Sequence, residues 1–298
     1  MNSKVFLKSL PDVPFIFEAQ LSLYTTYRVG GAAQVLALPE TENQIKYLID
    51  FSKKKHLPFR VLGLGSNILV SDLGLPGITC CMKHFQGVKI EGKTITALAG
   101  TALDDVVRAS IKEGLSGLEN LSGIPGSVGG AVFMNAGAFK TETFDKLISF
   151  TVLKEDIVKE IKKEDVKYEY RKVWGLEDCI ILSATWELDK GEKDILLSRR
   201  EEILRSRSAK QPLDYPSAGS VFKRPVGAYA SKLIDDCGLR GLSVGGAQVS
   251  TKHAGFIINY ENATAQNIYD LIKEVQKIVK AKTGFELEPE QIFWGKFE

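Results

Sequence analysis

Between Gly117 and Ala131 the chain reads Gly-Leu-Glu-Asn-Leu-Ser-Gly-Ile-Pro-Gly-Ser-Val-Gly-Gly-Ala, and no other stretch constrains the fold as much. Pro125-Gly126 forces a turn. Ser127 has the side chain to cap a helix beginning near Gly129, whose free N–H groups would face an anion. The small residues just beyond, in Phe133-Met134-Asn135-Ala136-Gly137-Ala138, permit close packing against a planar ligand. A tight glycine-rich helix crossing explains part of this composition, but not readily a second glycine loop upstream. That loop, Gly63-Leu64-Gly65-Ser66-Asn67, follows the strand-like Phe59-Arg60-Val61-Leu62 and precedes the apolar Ile68-Leu69-Val70. Glycine allows positive φ and close approach of a ligand, and Ser66 and Asn67 add side-chain donors. The pattern suits a pyrophosphate; an ordinary strand–turn–strand is the alternative. It is not the Rossmann fingerprint, because Ile68 stands where the third glycine belongs, and the chain contains no P-loop.

Helical and strand-like segments alternate around these loops, which points to an α/β or α+β chain. Thr41-Glu42-Asn43-Gln44 has the form of a capping box, Ile45, Leu48, Ile49 and Ser52 share one helical face, and Pro58 stops the helix. Thr94–Leu98 is strand-like, and Thr101–Lys112 is helical with Gly114 as C-cap. Phe150–Leu188 reads as several strands with charged turns, and Ser198–Arg207 as a basic helical connector. Pro, Ser and Gly cluster between Gln211 and Gly219, which places a domain boundary at 210/211. Beyond it come strand-like Ser220-Val221-Phe222, a helix around Ala228–Cys237 and a long amphipathic helix capped by Thr264. Its stripe of Ile268, Leu271, Ile272, Val275, Ile278 and Val279 is core packing.

Bulk properties exclude several classes. The chain is 44% hydrophobic and 26% charged, enough for a sizeable core, and its 298 residues suggest about two domains. With 39 basic and 37 acidic residues it lacks a nucleic-acid footprint, and the Lys53-Lys54-Lys55 run sits where it offsets a helix dipole. Cys80, Cys81, Cys179 and Cys237 contain no C-x-x-C, so neither a metal framework nor a disulfide lattice is expected; reduced thiols suit a cytoplasmic protein. Met1–Lys8, followed by Pro11, carries no long apolar run, and no stretch could span a bilayer.

At larger scale the chain resembles the UDP-N-acetylenolpyruvoylglucosamine reductases of peptidoglycan synthesis (the MurB family). The resemblance is carried by Tyr24–Gly31, Leu62–Asp72, Gly123–Gly137 and Tyr170-Arg171, then by Pro216–Pro225 and Lys232–Asp235. It continues through Gly245–Asn259 and Leu287-Glu288-Pro289-Glu290, all in the family's order. It implies an α+β fold: an FAD-binding region of the vanillyl-alcohol-oxidase/PCMH type over 1–210, in subdomains of about 1–85 and 86–210, and a substrate domain over 211–298. The implied FAD positions are Arg28, Gly63, Gly65, Ser66, Asn67, Gly123, Ile124, Pro125, Gly126, Ser127, Gly129, Gly130, Asn135 and Gly137. The implied reductant is NADPH, although no separate pyridine-nucleotide motif is visible. The expected partners are small molecules, with no metal, no nucleic acid and a monomeric, cytoplasmic chain. The uninterrupted link from Ser127 to Arg171 fits the shorter type II form.

The implied reaction reduces an enolpyruvyl ether to a lactyl ether. Hydride added to the β-carbon leaves negative charge shared between the α-carbon and the adjoining carboxylate, which needs a cationic donor and a nearby acid. The resemblance assigns these roles to Arg171, Ser220 and Glu290: Arg171 on the carboxylate, Ser220 as proton donor, Glu290 on the developing enolate. Tyr170, Lys223, Arg224, Gln248 and Lys252 are implied in substrate binding. His253 either lines the nucleotide side or, the reading preferred, is structural, and Asn259 reads as a residue that satisfies backbone groups. Lys140 for glycine, Lys172-Val173 without the usual serine, and Gln291 for valine depart from the family pattern. The alternatives are another flavin oxidoreductase of the same fold and a non-catalytic flavin- or nucleotide-binding protein; neither explains Arg171, Ser220 and Glu290 together.

Overall fold

The computed structural model describes residues 13–298, so the reading of Met1–Pro11 lies outside the described residues. The chain divides into two compact units, each with its own core. Unit 1 holds the described residues through Phe17, Val35–Leu64 and Gly77–Arg205; unit 2 holds Glu18–Gln34, Gly65–Pro76 and Ser206–Glu298.

Two sheets have most of their residues in unit 1. One has the strand order Phe15–Gln20, Ala32–Ala37, Leu75–Cys81, Phe59–Leu62, and its last pair is parallel, from Phe59↔Ile78 to Leu62↔Cys81. The other is a five-stranded antiparallel sheet ordered Ile157–Lys162, Leu147–Lys154, Ile180–Glu187, Thr94–Leu98, Val88–Glu91. Helix α1 (Glu42–Lys54) starts with the expected capping box: Thr41 Oγ1 accepts from Gln44 N, and Gln44 Oε1 accepts from Thr41 N. Helix α2 (Leu103–Lys112) buries Leu103, Val106, Val107 and Ile111. Both sheets and both helices share one contiguous core from Val13 to Leu196, so the two expected subdomains are not separate hydrophobic bodies. Trp186 anchors it, fully buried, with its indole N–H donated to Thr143 O at 3.0 Å. Two further helices follow the pattern loosely. Helix α3 spans Val128–Phe133, and α4 runs from Lys193 to Lys210, longer at both ends than its basic centre suggests.

Unit 2 differs from the expected contiguous 211–298 domain, because two upstream segments complete it. Strand Ile68–Val70 pairs in parallel with Ile292–Trp294, and Tyr27, Val29 and Leu69 enter the same core as helix α6 (Ala265–Thr283). A three-stranded antiparallel sheet, Ser243–Val244, Ala247–Val249 and Ile257–Asn259, and helix α5 (Ala230–Asp236) fill the remainder. Ser220-Val221-Phe222 forms isolated bridges to Phe256 and Pro289 and no longer strand. At the start of α6, Thr264 caps with Asn267 as expected, and the Asp72 carboxylate also accepts the N–H groups of Ala265 and Gln266, both at 2.9 Å. Loose helix-terminal donors therefore recruit a residue distant in sequence, which no local pattern reveals. Among the described residues no helix is long and apolar enough to cross a membrane.

Asp72→Ala should lower stability by about 1–2 kcal/mol, since it removes both a cap and a favourable dipole charge. Hydrogen exchange should speed up in the first turn of α6, whereas Thr41→Ala, costing about 1 kcal/mol, should leave α6 protection unchanged. Unaltered α6 exchange in Asp72→Ala would refute the cap.

Candidate active site

In unit 1 the glycine-rich run delivers a different set of donors from the one its sequence suggests. Ser127 caps α3 as expected, its Oγ accepting from Gly130 N at 3.3 Å. The helix start is nevertheless closed to an anion: Val128 N donates to Thr101 O and Gly129 N to Ala99 O, both at 2.9 Å. The preceding bend is the open part. The N–H groups of Gly126 and Ser127 donate to no acceptor among the described residues. Gly123 enters the bend with φ +74° and donates its N–H to Asp104 Oδ1 at 2.7 Å. Ile124 N bonds Leu121 O, and Pro125 and Gly130 are exposed. A Cβ on Gly63 would lie 2.3 Å from Ser127 Oγ, so the end of strand Phe59–Leu62 passes directly against this bend. Consecutive unpaired amides in a glycine-rich bend fit the diphosphate of a dinucleotide. Gly129 and Gly137 have a plainer cause: a Cβ there would meet Ala99 Cβ at 3.0 Å and Thr141 O at 2.6 Å.

Arg171 sits with Tyr170 in the two-residue turn between Tyr168–Glu169 and Lys172–Val173, at φ +58°. Its guanidinium donates to Asn135 O at 3.1 Å and Gly137 O at 2.5 Å and lies 4.9 Å from the Tyr170 ring. Asn135 is fully buried at φ +43°; its amide donates to Glu142 Oε2 at 2.7 Å and Glu169 O at 3.2 Å and accepts from Phe144 N. Asn135 and Gly137, expected at the cofactor, thus form the platform that aims Arg171. A left-handed non-glycine residue carries strain that the surroundings must over-determine, and these bonds do so.

In unit 2 the second glycine loop is likewise occupied by the protein. A Cβ on Gly65, at φ +65°, would fall 2.2 Å from Tyr24 O. Asn67 Nδ2 donates to Glu290 O at 3.1 Å, and Asn67 O accepts from Ile292 N, so Asn67 holds the Glu290 backbone. Ser66 lies half-buried on the same turn, and Arg28 is exposed at φ +56°.

Ser220 and Glu290, seventy residues apart in sequence, are neighbours here. Glu290 N donates to Val221 O at 2.8 Å, and Phe222 bridges Pro289. Ser220 follows Gly219, at φ +75°, and its exposed hydroxyl makes no hydrogen bond to the described residues. Lys223 joins this group through a 2.5 Å ion pair with Glu288, and Arg224 stacks 3.9 Å over Tyr229. Gln248 and Lys252 lie elsewhere, on the Ala247–Asn259 hairpin. Gln248 Nε2 bonds Ser243 Oγ at 3.1 Å, and Lys252 Nζ bonds Ser208 O at 2.6 Å. His253 is structural: its Nδ1 accepts from Gly255 N at 3.1 Å, and burial, with Arg240 nearby, lowers its pKa. Asn259 satisfies backbone groups, donating to Tyr27 O and accepting from Ala263 N. Among the described residues no cluster of His, Cys, Asp and Glu could hold a metal ion.

The residue missed from sequence is Gln291. Its side chain, in a residue only 5% exposed, accepts from the Tyr27 hydroxyl at 3.1 Å and donates to Ala218 O at 3.2 Å. Burial pushes the Tyr27 phenol well above its usual range, so it stays a donor. The sequence offers one signal, a polar residue where the family pattern has valine, but not its partner 264 positions away.

Residues 33–156 match the family model described as an FAD binding domain, and 211–294 the UDP-N-acetylenolpyruvoylglucosamine reductase C-terminal domain. The UDP-N-acetylenolpyruvoylglucosamine reductase of Enterococcus faecalis is 41% identical over 292 residues, covering 97% of both chains. A Clostridium botulinum protein of the same name is 42% identical over 297 residues, covering 97% of this chain and 96% of its own. The solved UDP-N-acetylenolpyruvylglucosamine reductase of Thermus caldophilus superposes with a TM-score of 0.82 at 35% identity, covering 95% of this chain and 99% of its own.

Gln291→Val should destabilise the protein by about 1–3 kcal/mol, because it orphans a buried hydroxyl and a carbonyl. Tyr27→Phe removes the same hydroxyl, so the double variant should cost less than the sum, with a coupling of about 0.5–3 kcal/mol. Strict additivity in urea denaturation would sink the linkage.

Proposed function

The chain belongs to the UDP-N-acetylenolpyruvoylglucosamine reductase family, and we propose on that premise that it uses NADPH to reduce UDP-N-acetylglucosamine enolpyruvate to UDP-N-acetylmuramate in the cytoplasm. It is an FAD-dependent oxidoreductase of peptidoglycan synthesis. The open amides of Gly126 and Ser127, with Gly63 against them, are the residues of unit 1 that would hold the cofactor. Bound there, FAD would supply the hydride-transfer chemistry between NADPH and the enolpyruvyl group that no side chain can provide.

The protein's own residues manage the charge and the proton. Arg171 stabilises the substrate carboxylate as charge grows on it, by charge-assisted hydrogen bonds from a guanidinium already oriented on Asn135 and Gly137. Glu290 stabilises the enolate. Ser220 gives its hydroxyl proton to the α-carbon. A serine is a weak acid, so position must compensate for pKa. Tyr170, Lys223, Arg224, Gln248 and Lys252 contribute to binding the substrate, and the pairing of Lys223 with Glu288, beside Pro289-Glu290, supports its part in this. The chain acts as a monomer of the shorter type II form.

One observation carries this reading: Ser220 and Glu290 are held side by side through Val221 O and Glu290 N, and the serine hydroxyl is left unengaged. A binding protein has no need of that arrangement, and oxidases that share only the FAD domain would lack it. The test separates the half-reactions in stopped flow. Ser220→Ala should slow flavin reoxidation by the UDP-enolpyruvyl sugar about 10²–10⁴-fold while NADPH reduces the flavin at nearly the wild-type rate. Equal loss of both steps would remove Ser220 as proton donor. NADPH consumption that does not depend on the UDP-sugar would remove the substrate.

A further inference from the structure

Helix α4 carries two adjacent arginines, Arg199 and Arg200, that no step of the proposed reaction uses. Arg200 pairs bidentately with Asp104 of α2, NH1 to Oδ1 at 2.6 Å and NH2 to Oδ2 at 2.7 Å. The two side chains are only 14% and 29% exposed. The same Asp104 carboxylate accepts the N–H of Gly123 at 2.7 Å, where the glycine-rich bend begins. One helical position earlier, Arg199 Nε donates to Asn120 Oδ1 at 2.9 Å, and Asn120 Nδ2 reaches Thr141 Oγ1 at 2.9 Å. By contrast, Arg205 on the same helix only reaches Glu201 at 3.7 Å, in solvent.

We propose that Asp104, Arg200, Arg199 and Asn120 are positioning residues for FAD, bracing the Gly117–Gly130 segment so that the Gly126 and Ser127 amides stand ready for its diphosphate. The inference rests on reading Gly123–Gly130 as the cofactor loop. A glycine-rich bend has more backbone freedom to lose than any other sequence. Ordering it at the moment of binding would subtract from affinity, and ordering it beforehand removes that penalty. The bend's one polar side chain, Ser127, is committed to capping α3 through Gly130 N, and Gly123, Ile124, Pro125 and Gly126 have none. The order is imposed from α2 and α4 by charge-assisted bonds, which are stronger and geometrically stricter than neutral ones. Burial alone would raise the Asp104 pKa; the bonds from Arg200 and Gly123 outweigh it and hold the carboxyl below its usual range, so it stays ionised near neutrality.

The test is FAD titration of the stripped full-length protein, read by flavin fluorescence quenching at a temperature where circular dichroism shows each apo variant folded. Asp104→Ala should weaken FAD binding about tenfold or more, the loss expected for one charge-assisted bond. Asp104→Asn keeps an acceptor for Gly123, and Arg200→Met keeps Asp104 on Gly123; each should weaken binding by about threefold, between Asp104→Ala and wild type. Arg205→Met should bind as wild type does. If Asp104→Ala does not fold, the two milder variants decide: weakening supports the brace, and wild-type affinity in both overturns it. Equal affinity across the whole folded set, or a loss in Arg205→Met as large as in Asp104→Ala, also overturns it. A wild-type chain that takes up no FAD overturns the cofactor loop and the brace together.

Discussion

Unit 2 is organised around one buried amide. Gln291 cannot leave its side chain unpaired at 5% exposure, because an orphaned buried polar group costs about 1–3 kcal/mol. Its two ends find Tyr27 and Ala218, so residues from both ends of the sequence must converge on it. Ala218 lies two residues before Ser220, and Glu290 lies immediately before Gln291. The requirement that satisfies the amide therefore also sets the two groups proposed to handle the enolate. Asn67 and Asn259 repeat the device, pinning the Glu290 carbonyl and the Tyr27 carbonyl. Apolar burial of Leu69, Ile268, Leu271 and Ile272 then supplies the non-directional part of the stability around this directional frame.

Unit 1 solves a related problem by joining charged groups to a buried amide, Asn135. Polar bonds fix its loops: Asp104 accepts from Gly123 N–H, and the Asn135 and Gly137 carbonyls accept from Arg171. Both Arg171 and Asn135 adopt left-handed backbone, a conformation that costs non-glycine residues free energy. Strain at two mutually bonded residues is stable only because Glu142, Glu169 and Phe144 saturate Asn135. The strained turn is thus a consequence of aiming the guanidinium, not an isolated irregularity.

What could be read from sequence divides along the range of the forces involved. The caps at Thr41, Ser127 and Thr264 and the stripe on α6 follow from contacts within one or two turns, and all were readable. The turn that Pro125-Gly126 suggests falls instead at Ser122-Gly123, just upstream of the dipeptide. The assembly of unit 2 from three separate segments was not readable, because it depends on pairings such as Ile68–Val70 with Ile292–Trp294 that span the chain. The anion-facing helix start failed for the same reason: Thr101 O and Ala99 O, remote from the motif, take the N–H groups that the motif alone leaves free. Asn67 looked like a ligand donor because its partner, the Glu290 carbonyl, lies 223 residues away.

The glycines illustrate how little composition alone decides. Gly65, Gly129 and Gly137 are demanded by neighbouring protein atoms, whatever ligand binds. A glycine count therefore measures close packing first and ligand contact second. Candidate ligand donors are the ones left when internal acceptors have been assigned, and in the glycine-rich bend of unit 1 Gly126 and Ser127 are left. The same elimination applies to Ser220. A hydroxyl already donating to a protein acceptor would have to break that bond before giving up its proton. Ser220 Oγ has no such bond to the described residues, while the backbone on either side is fixed by Gly219 and the Phe256 bridge. A rigid backbone that carries an uncommitted hydroxyl is what a weak acid needs if geometry, and not acidity, is to make it a proton donor.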